Sequence, residues 1–466
     1  MKTKNSLKFL QFIRPVTTVL LCFILFTGLF AGCGMPNAAP KETITLTMWH
    51  NMGGRVPDMI GILIDEFNAG VGKDNGVIVS VTSVTPTRDI DDNMEMIRHG
   101  DPGAPEMPDI VPLYPNVALG LMEEGLLAPL DDLFSQEELD AYQPQYLDVG
   151  RLADGKLYVF PFAKSTEVLY LDQTLFERFA AETGAKNEDL LTAEGLAGTA
   201  VRYYEWTDAL TPDTENDGKA FFSADSWFNF YAVAMLQLGV QDFIGEKTLN
   251  MDNPAFRRIW DASVSPAVRG GYAITDSYSS TLAMTGDILA ATGSTAGMQY
   301  YGNQNITYAD NTTEAVEYSI NPYPVMRGGT SAVLQRGSGM VVSKSTPERE
   351  AAAALFLKWF TDPAQNVRYA LPTGYLPVMK NALDSADISA LPEGTDVQTL
   401  EKLLITVRDM EQTYGFVTAP QNANLTAMSS DFESKLNQAM QEGRARVLAG
   451  EDPDAVCEAL YEAFIQ

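Results

Sequence analysis

The chain has 466 residues and carries 32 basic against 61 acidic side chains, a formal net charge of −29. A surface this acidic repels phosphate backbones and anionic lipid headgroups, which argues against nucleic-acid binding and against membrane attachment through basic patches. The length allows two or more compact domains.

The first 32 residues have the pattern of an export signal. Basic residues at the start precede an apolar run over residues 16–31. The run ends in small residues directly before Cys33, which resembles the lipobox of bacterial lipoprotein precursors, although Phe30 departs from the usual aliphatic residue. We predict a lipoprotein signal peptide over 1–32, acylation of Cys33 and a flexible tether over 33–41. An ordinary signal peptide or an uncleaved anchor is the alternative.

The three cysteines predict a fold without disulfides. Cys22 lies in the predicted signal and Cys33 at the predicted lipidation site, so Cys457 has no partner. Cys457 stands in a predicted helix, where a lone cysteine is usually a small core residue and not a nucleophile.

Strand and helix patterns alternate at the start of the predicted domain. Ile44–Trp49 predicts a strand, apolar residues at helical spacing over 60–67 predict a helix, and alternating valines over 77–81 predict a second strand. This β-α-β order implies a parallel sheet covered by a helix. A helix over Asp91–His99 and a buried strand over Asp109–Leu113 continue the alternation.

The middle of the chain predicts a passage between lobes. Two apolar extended runs, Tyr158–Phe162 and Val168–Leu171, are separated by residues 163–167, where we expect the chain to cross. Residues 172–300 are more helical and richer in aromatic side chains. A further buried strand over Gly339–Ser343 precedes an amphipathic helix.

Several segments occur in the order and with the character of a known family. They are Leu46–His50, Met107–Val111, Gly125–Leu130, Phe160–Phe162, Val168–Leu171, Gly293–Gly297, Gly337–Lys344 and Thr373–Val378. Together with the predicted lipobox they resemble the bacterial extracellular solute-binding family 1, which includes maltose-type and glycerol-phosphate-type binding proteins. The resemblance spans most of the chain.

The resemblance implies an α/β, two-lobed fold like that of periplasmic binding proteins (type II). A ligand cleft would lie between lobes joined by hinge crossings. We assign residues 42–163 and 316–362 to lobe 1 and residues 164–315 and 363–466 to lobe 2. The resemblance further implies a monomer without cofactor or catalytic activity, anchored by lipid on the outer face of the cytoplasmic membrane. It would deliver a sugar or oligosaccharide to an ABC transporter permease.

Candidate ligand-binding residues come from two sources, which are their position along the chain and the resemblance to the family. Loops at the carboxyl ends of strands face the crevice of such folds, and aromatic plates with short hydrogen-bonding side chains suit sugars. Position gives Trp49, His50, Tyr114, Ser165, Thr166 and Glu167, and Trp227 lies near a predicted helix start. The resemblance places the turn with Ser294 and Thr295 at the cleft, and Tyr300 and Tyr301 follow this turn. The resemblance also implies Gly337, Ser338 and Tyr375 as ligand-binding residues.

For several candidates a second role stays open. Trp49 and Trp227 are equally suited to a hydrophobic core. The turn Gly293–Gly297 suits either a ligand or a helix cap. We expect one of Tyr300 and Tyr301 to contact the ligand.

The sequence also leaves other functions open. A phosphorylated polyol becomes a candidate ligand if Arg336 reaches the cleft.

The acidic run over 213–218 resembles half of a calcium loop, but Ala224 stands where the bidentate glutamate is required, which favours a solvated turn without metal. A secreted carbohydrate-active enzyme needs two carboxylates that face each other across a cleft. With 61 acidic residues in the chain, the sequence alone does not exclude such a pair. A structural surface lipoprotein would show no ligand-dependent closure.

Overall fold

The computed structural model describes residues 43–51, 59–84, 87–275, 277–302, 304–380, 382–383, 391–422 and 424–466. The predicted signal peptide, Cys33 and the tether over 33–41 lie outside the described residues. From Thr45 onwards the folded elements belong to one compact unit, Thr45–Gln466.

The described residues form the following elements. The strands are β1 (Ile44–His50), β2 (Val77–Ser83), β3 (Ile110–Leu113), β4 (Phe160–Pro161), β5 (Ser165–Asp172), β6 (Phe222–Ala224), β7 (Ala290–Ser294), β8 (Gln304–Thr307), β9 (Thr313–Val316), β10 (Tyr318–Asn321), β11 (Ala332–Arg336), β12 (Gly339–Val342) and β13 (Gly415–Val417). The α-helices are α1 (Met59–Ala69), α2 (Val71–Asn75), α3 (Thr87–His99), α4 (Pro115–Glu123), α5 (Gln136–Leu139), α6 (Pro144–Gly150), α7 (Gln173–Thr183), α8 (Ala193–Ala209), α9 (Trp227–Gln237), α10 (Pro254–Val268), α11 (Ser279–Met284), α12 (Pro347–Thr361), α13 (Pro363–Ala370), α14 (Val397–Thr413), α15 (Leu425–Leu448) and α16 (Pro453–Phe464). Short 3₁₀ helices cover Leu130–Asp132, Asn187–Leu191, Thr295–Tyr300 and Leu371–Thr373.

The first sheet has the strand order β2-β1-β3-β12-β4. β1 and β3 are parallel, with Met48 opposite Ile110, whereas β12 is antiparallel to both β3 and β4. All four residues of β3 are buried, as expected of a central strand covered on both faces. Phe67 of α1 packs edge-on against Phe356 of α12, with ring centroids 5.2 Å apart. This sheet and the helices packed on it form the first lobe.

The second sheet has the order β13-β11-β5-β7-β6, and β10 also pairs with β5. β5 lies at its centre and all eight of its residues are buried. β7, β10 and β11 are antiparallel to β5, while the β6–β7 and β11–β13 pairs are parallel. α9 packs on β11 of this sheet and α10 packs on α9, and these helices form the second lobe together with the sheet. Cys457 of α16 is 4% exposed and belongs to this core, as predicted.

The sheets correct part of the predicted organisation. The expected parallel sheet is mixed, because strands from distant parts of the chain insert antiparallel to their neighbours. β10 and β11 belong to the second sheet, although we placed residues 316–362 in lobe 1. α13 packs against α1 of the first lobe, where Arg368 and Glu66 form an ion pair at 2.8 Å, although we placed residues 363–466 in lobe 2. Boundaries in sequence therefore do not follow the simple division that we predicted.

The acidic run over 213–218 forms a turn that is held by the side chains of Asp208 and Thr211. Asp208 Oδ1 accepts the backbone N–H groups of Asp217 at 2.8 Å and Gly218 at 3.2 Å, and the Thr211 hydroxyl donates to Asp217 Oδ1. Among the described residues, no group of three or more His, Cys, Asp or Glu side chains is placed to hold a metal ion. A search of the same residues for a helix long and apolar enough to span a bilayer finds none.

One buried carboxylate in the second lobe is incompletely hydrogen-bonded. Asp172 ends β5 and caps α7, where its Oδ1 accepts the backbone N–H of Leu175 at 2.9 Å. Its Oδ2 has no hydrogen-bond partner among the described residues, and the side chain is fully buried. Burial therefore raises the pKa of Asp172 to about 6.

We predict that Asp172→Asn stabilises the protein at pH 8 by about 1–2 kcal/mol, because asparagine keeps the cap without the buried charge. At about 1.4 kcal/mol per pKa unit, ionised Asp172 costs the folded state up to about 3 kcal/mol. Since the folded-state pKa lies above the unfolded value, this cost disappears as the pH falls through 6 towards 4. Urea unfolding of both proteins at several pH values measures the difference. A difference that does not change with pH would contradict this assignment.

Candidate ligand-binding site

Residues of both lobes line one cavity of about 200 Å³. Its wall combines aromatic rings, short hydroxyl side chains, backbone of two chain crossings and one cation. The lining residues are Asn51, Tyr114, Phe162, Ala163, Ser165, Ser294, Ala296, Arg336, Gly337, Ser338, Gly339, Met340, Tyr369 and Tyr375.

In the first lobe, Tyr114 is positioned by the junction of β3 and α4. It has an extended backbone, and Pro115 fixes the first position of the helix that follows. The Tyr114 carbonyl accepts the N–H groups of Val117 and Ala118 at 3.1 and 3.0 Å. The ring therefore stands on a rigid turn at the carboxyl end of a buried strand.

In the second lobe, Ser294 is both a helix cap and a wall residue. It ends β7, and its Oγ accepts the N–H of Ala296 at 3.2 Å at the start of the 3₁₀ helix. Its carbonyl accepts the Tyr170 hydroxyl at 2.8 Å. A hydroxyl that accepts one bond still has its own proton to donate, so the two roles that the sequence left open are compatible.

The two chain crossings are packed backbone to backbone beside the cavity. One leads from β4 to β5 through Lys164, and the other leads from β11 to β12 through Gly337 and Ser338. Gly337 has φ +94°, and a Cβ there would lie 2.7 Å from the carbonyl oxygen of Ala163. Only glycine fits this conformation and this space.

Lys164 joins these crossings. Its Nζ donates to the carbonyls of Gly337 at 2.9 Å and Ser338 at 3.4 Å, and the residue is 2% exposed. Burial lowers the pKa of this ammonium group to about 8. Its backbone also exchanges two hydrogen bonds with Leu376, at 3.1 and 2.6 Å, which fixes the segment that carries Tyr375.

Arg336 brings the one guanidinium group to the described wall. Its Nη1 lies 3.1 Å from Glu167 Oε1, which also accepts from Asn229 Nδ2 at 3.0 Å. The arginine side chain is 24% exposed and that of Glu167 only 4%. Burial raises the pKa of Glu167, while Arg336 and Asn229 oppose this rise. The carboxylate raises the pKa of Arg336, which stays a cation paired with a buried anion.

Six of the fourteen predicted residues line the cavity. They are Tyr114, Ser165, Ser294, Gly337, Ser338 and Tyr375. Chain position predicted Tyr114 and Ser165, and the resemblance to the family contributed Ser294, Gly337, Ser338 and Tyr375. In the structure all six lie at a strand end, in a crossing or in the turn after α13.

The other eight lie off the described wall, mostly because their side chains are needed in the core. Trp227 is 5% exposed and packs on Phe230 at 5.4 Å, while Tyr301 stacks on Tyr170 at 4.1 Å. Large aromatic faces gain most from such burial. Glu167 reaches the site only through Arg336.

The remaining predicted residues are held in the same way. The Thr166 hydroxyl donates to the Leu334 carbonyl at 3.0 Å, and Thr295 and His50 are buried. Trp49 and Tyr300 are half-buried and pack against the two hydrophobic cores.

Several wall residues were not predicted from the sequence. Asn51 directly follows Trp49 and His50, which are the last two residues of β1 and not, as predicted, the residues after the strand. Phe162 was treated as the end of an apolar run, and Tyr369 of α13 carries no local pattern that separates it from core. Tyr369 is stacked on Tyr375, with interplanar angle 18° and centroids 6.2 Å apart.

A two-lobed α/β fold with a cavity at its crossings is the architecture of a binding protein. The family model of bacterial extracellular solute-binding proteins matches residues 63–399, and the chain belongs to this family. Membership supports the expected extracellular or periplasmic location. Comparison with curated protein sequences gives no match.

Solved structures confirm the predicted fold. The GacH receptor of Streptomyces glaucescens, solved unliganded and with acarbose, is 15% identical with TM-score 0.63, covering 91% of this chain and 97% of that chain. UgpB from Mycobacterium tuberculosis, in complex with glycerophosphocholine, is 18% identical with TM-score 0.64, covering 91% and 98%. The cyclic alpha-maltosyl-1,6-maltose binding protein from Arthrobacter globiformis is 18% identical with TM-score 0.60, at the same coverage.

We predict that Gly337→Ala destabilises the protein more than Gly328→Ala does. Both glycines have positive φ, but a Cβ at Gly328 meets nothing within 4 Å. The Gly328 variant therefore shows the conformational cost alone, about 1–2 kcal/mol. The Gly337 variant adds about 1–3 kcal/mol because the crossings must separate. Urea unfolding of both variants provides the comparison, and equal losses would show that the crossings are not in tight contact.

Proposed function

We propose that the protein captures a neutral sugar or sugar-like polyol in this cavity and delivers it to the permease of an ABC importer. The composition of the wall is the observation that supports this most strongly. Tyr114 and Tyr375 offer flat apolar faces for C–H groups, and Ser165, Ser294 and Ser338 offer hydroxyls for hydrogen bonds. Several of the similar solved proteins are described as saccharide binders.

The size of the cavity favours a compact ligand. Pockets for drug-sized ligands measure about 300–1,000 Å³, whereas this cavity measures about 200 Å³. A mono- or disaccharide unit suits this space better than a long chain does. A longer oligosaccharide would need the lobes to stand further apart.

A phosphorylated polyol is the second candidate, and Arg336 is the observation that favours it. Guanidinium groups bind phosphate by paired hydrogen bonds, and UgpB binds glycerophosphocholine. Glu167 argues against this ligand, since it already neutralises Arg336.

The residues that line the cavity give less support to a catalytic function. A glycosidase of the usual kind needs two carboxylates across its cleft, and none of the described lining residues is Asp or Glu. We propose binding without chemical change, and we propose that acylated Cys33 moors a monomer to the outer face of the membrane.

Contacts between the lobes away from the crossings support a closing movement. Asn116 Nδ2 donates to Thr426 Oγ1 at 3.0 Å, and Gln421 Nε2 donates to the Arg151 carbonyl at 2.6 Å. Asn116 lies two residues after Tyr114. Because only an approach of the lobes lets both contact one ligand, ligand binding would stabilise these bonds, and the permease would recognise the closed form.

We predict that a panel of neutral mono- and oligosaccharides contains at least one that raises the melting temperature by mass action. Tyr375→Ala should weaken its binding about tenfold, because stacking on the ring is lost. Tyr278→Ala is the matched control, since that tyrosine is 69% exposed and lies off the described wall. Thermal shift and calorimetry measure both effects.

Each other outcome of the panel has its own meaning. Stabilisation by glycerophosphodiesters alone would favour the phosphorylated polyol. Product formation from the stabilising compound would indicate an enzyme. No stabilisation across a broad panel would leave a structural lipoprotein as the better reading.

We also predict that Thr426→Ala weakens binding of the saccharide found in the panel by about two- to fivefold, because an exposed hydrogen bond between the lobes is worth at most about 1 kcal/mol. Ser429→Ala on the same helix is the control, since the Ser429 hydroxyl donates to the Thr426 carbonyl of α15 and to no other atom of the described residues. Calorimetric titration of both variants gives the affinities. Equal affinities would mean that the Asn116–Thr426 bond does not change on binding.

A further inference from the structure

The register of the second sheet places Glu167 directly behind the cavity wall. Ser165 and Glu167 are two residues apart on β5 and therefore lie on the same face of the sheet. Glu167 stands opposite Ser294 of β7, and Ser165 stands opposite Arg336 of β11. Three strands thus bring one buried carboxylate next to three wall residues, one on each strand.

Glu167 is tied to Arg336 and not to the cavity. Its side chain is 4% exposed and it is absent from the lining residues. Its Oε1 accepts from both Arg336 and Asn229 of α9. The Arg336 guanidinium group has no other hydrogen-bond partner among the described residues, and Arg336 lines the cavity, so its remaining N–H groups can donate to a ligand.

The charge of the wall therefore depends on this carboxylate. Without it, a cation at the edge of a cavity of low dielectric would attract anions strongly. With it, the pair is neutral and its N–H groups donate without favouring a charged partner. Asp225, whose carboxylate accepts the Ser279 hydroxyl at 3.0 Å, adds further negative charge nearby.

We propose that Glu167 is a positioning residue that sets the charge selectivity of the site. By neutralising Arg336 and holding its guanidinium group in place, it makes the cavity accept neutral polar solutes and reject anionic ones. This inference deepens the proposed function and rests on it for the identity of the neutral ligand. The effect of Glu167 on charge selectivity can be tested without a sugar ligand.

The test uses inorganic sulfate as the anionic probe and the variant Glu167→Gln. Glutamine keeps an oxygen that accepts from Arg336 and Asn229, but it removes the negative charge. We expect Glu167→Gln to bind sulfate at pH 7.5 at least tenfold more tightly than the wild-type protein, measured by calorimetric titration at constant ionic strength. The double variant Glu167→Gln/Arg336→Met should lose this binding.

Glu433→Gln is the matched control. Glu433 is also a carboxylate of the second lobe that accepts two hydrogen bonds, from Ser226 Oγ at 2.7 Å and the Phe228 N–H at 2.9 Å, and it is not among the lining residues. Sulfate stabilises many proteins without binding a specific site. The proposal is therefore supported only if the sulfate affinity increases more in Glu167→Gln than in Glu433→Gln. Equal sulfate affinity of Glu167→Gln and Glu433→Gln would overturn the proposal, as would tight sulfate binding by the wild type.

A second measurement covers the case in which Glu167→Gln fails to fold. Arg336→Met leaves the buried carboxylate uncompensated and should lower the urea midpoint, and the double variant should recover most of that loss. Losses that simply add would disprove the pairing. If no saccharide binds but Glu167→Gln binds sulfate more tightly than the wild type, the proposed ligand class is wrong, whereas the role of Glu167 in charge selectivity is supported. If a saccharide binds and the variant gains nothing, only this inference fails.

Discussion

The close contact between the two chain crossings is the constraint on which the site depends. The backbone at Gly337 meets the carbonyl of Ala163 so closely that no side chain fits between them. β4 and β12 of the first lobe and β5 and β11 of the second begin or end within a few residues of this contact. Ser165, Arg336 and Ser338 are therefore gathered at the place where the lobes meet, and the cavity is a consequence of the crossings.

Lys164 adds to this contact a polar link that backbone packing alone would not give. A buried ammonium group is costly, and its lowered pKa records that cost. The carbonyls of Gly337 and Ser338 offset part of it, and the same side chain thereby fixes the direction of the second crossing. Through its backbone bonds to Leu376, it also sets where Tyr375 stands. One residue thus links the crossings to the aromatic part of the wall.

Periodicity predicted the local elements well but not their pairing. The helix expected over 60–67 spans Met59–Ala69, and the strand expected over Asp109–Leu113 spans Ile110–Leu113. Both follow from nearby residues. β11 pairs with β5 although more than 160 residues separate the paired positions. The sequence of a short apolar strand does not determine which sheet the strand joins. For this reason residues 318–336 were assigned to the wrong lobe.

The site was predictable where chain position decides exposure and unpredictable where packing decides it. Tyr114 follows β3 and Ser294 ends β7, and both line the cavity. Trp227 and Tyr301 have side chains equally suited to binding a sugar, but they are buried in the core. Alternation along β5 marks Ser165 and Glu167 as one face, yet it does not tell the wall from the layer behind it. The pairing of Glu167 with Arg336 arises only from the register of neighbouring strands. The charge of the cavity is therefore set locally, by two side chains, and not by the net charge of −29 that the sequence displays.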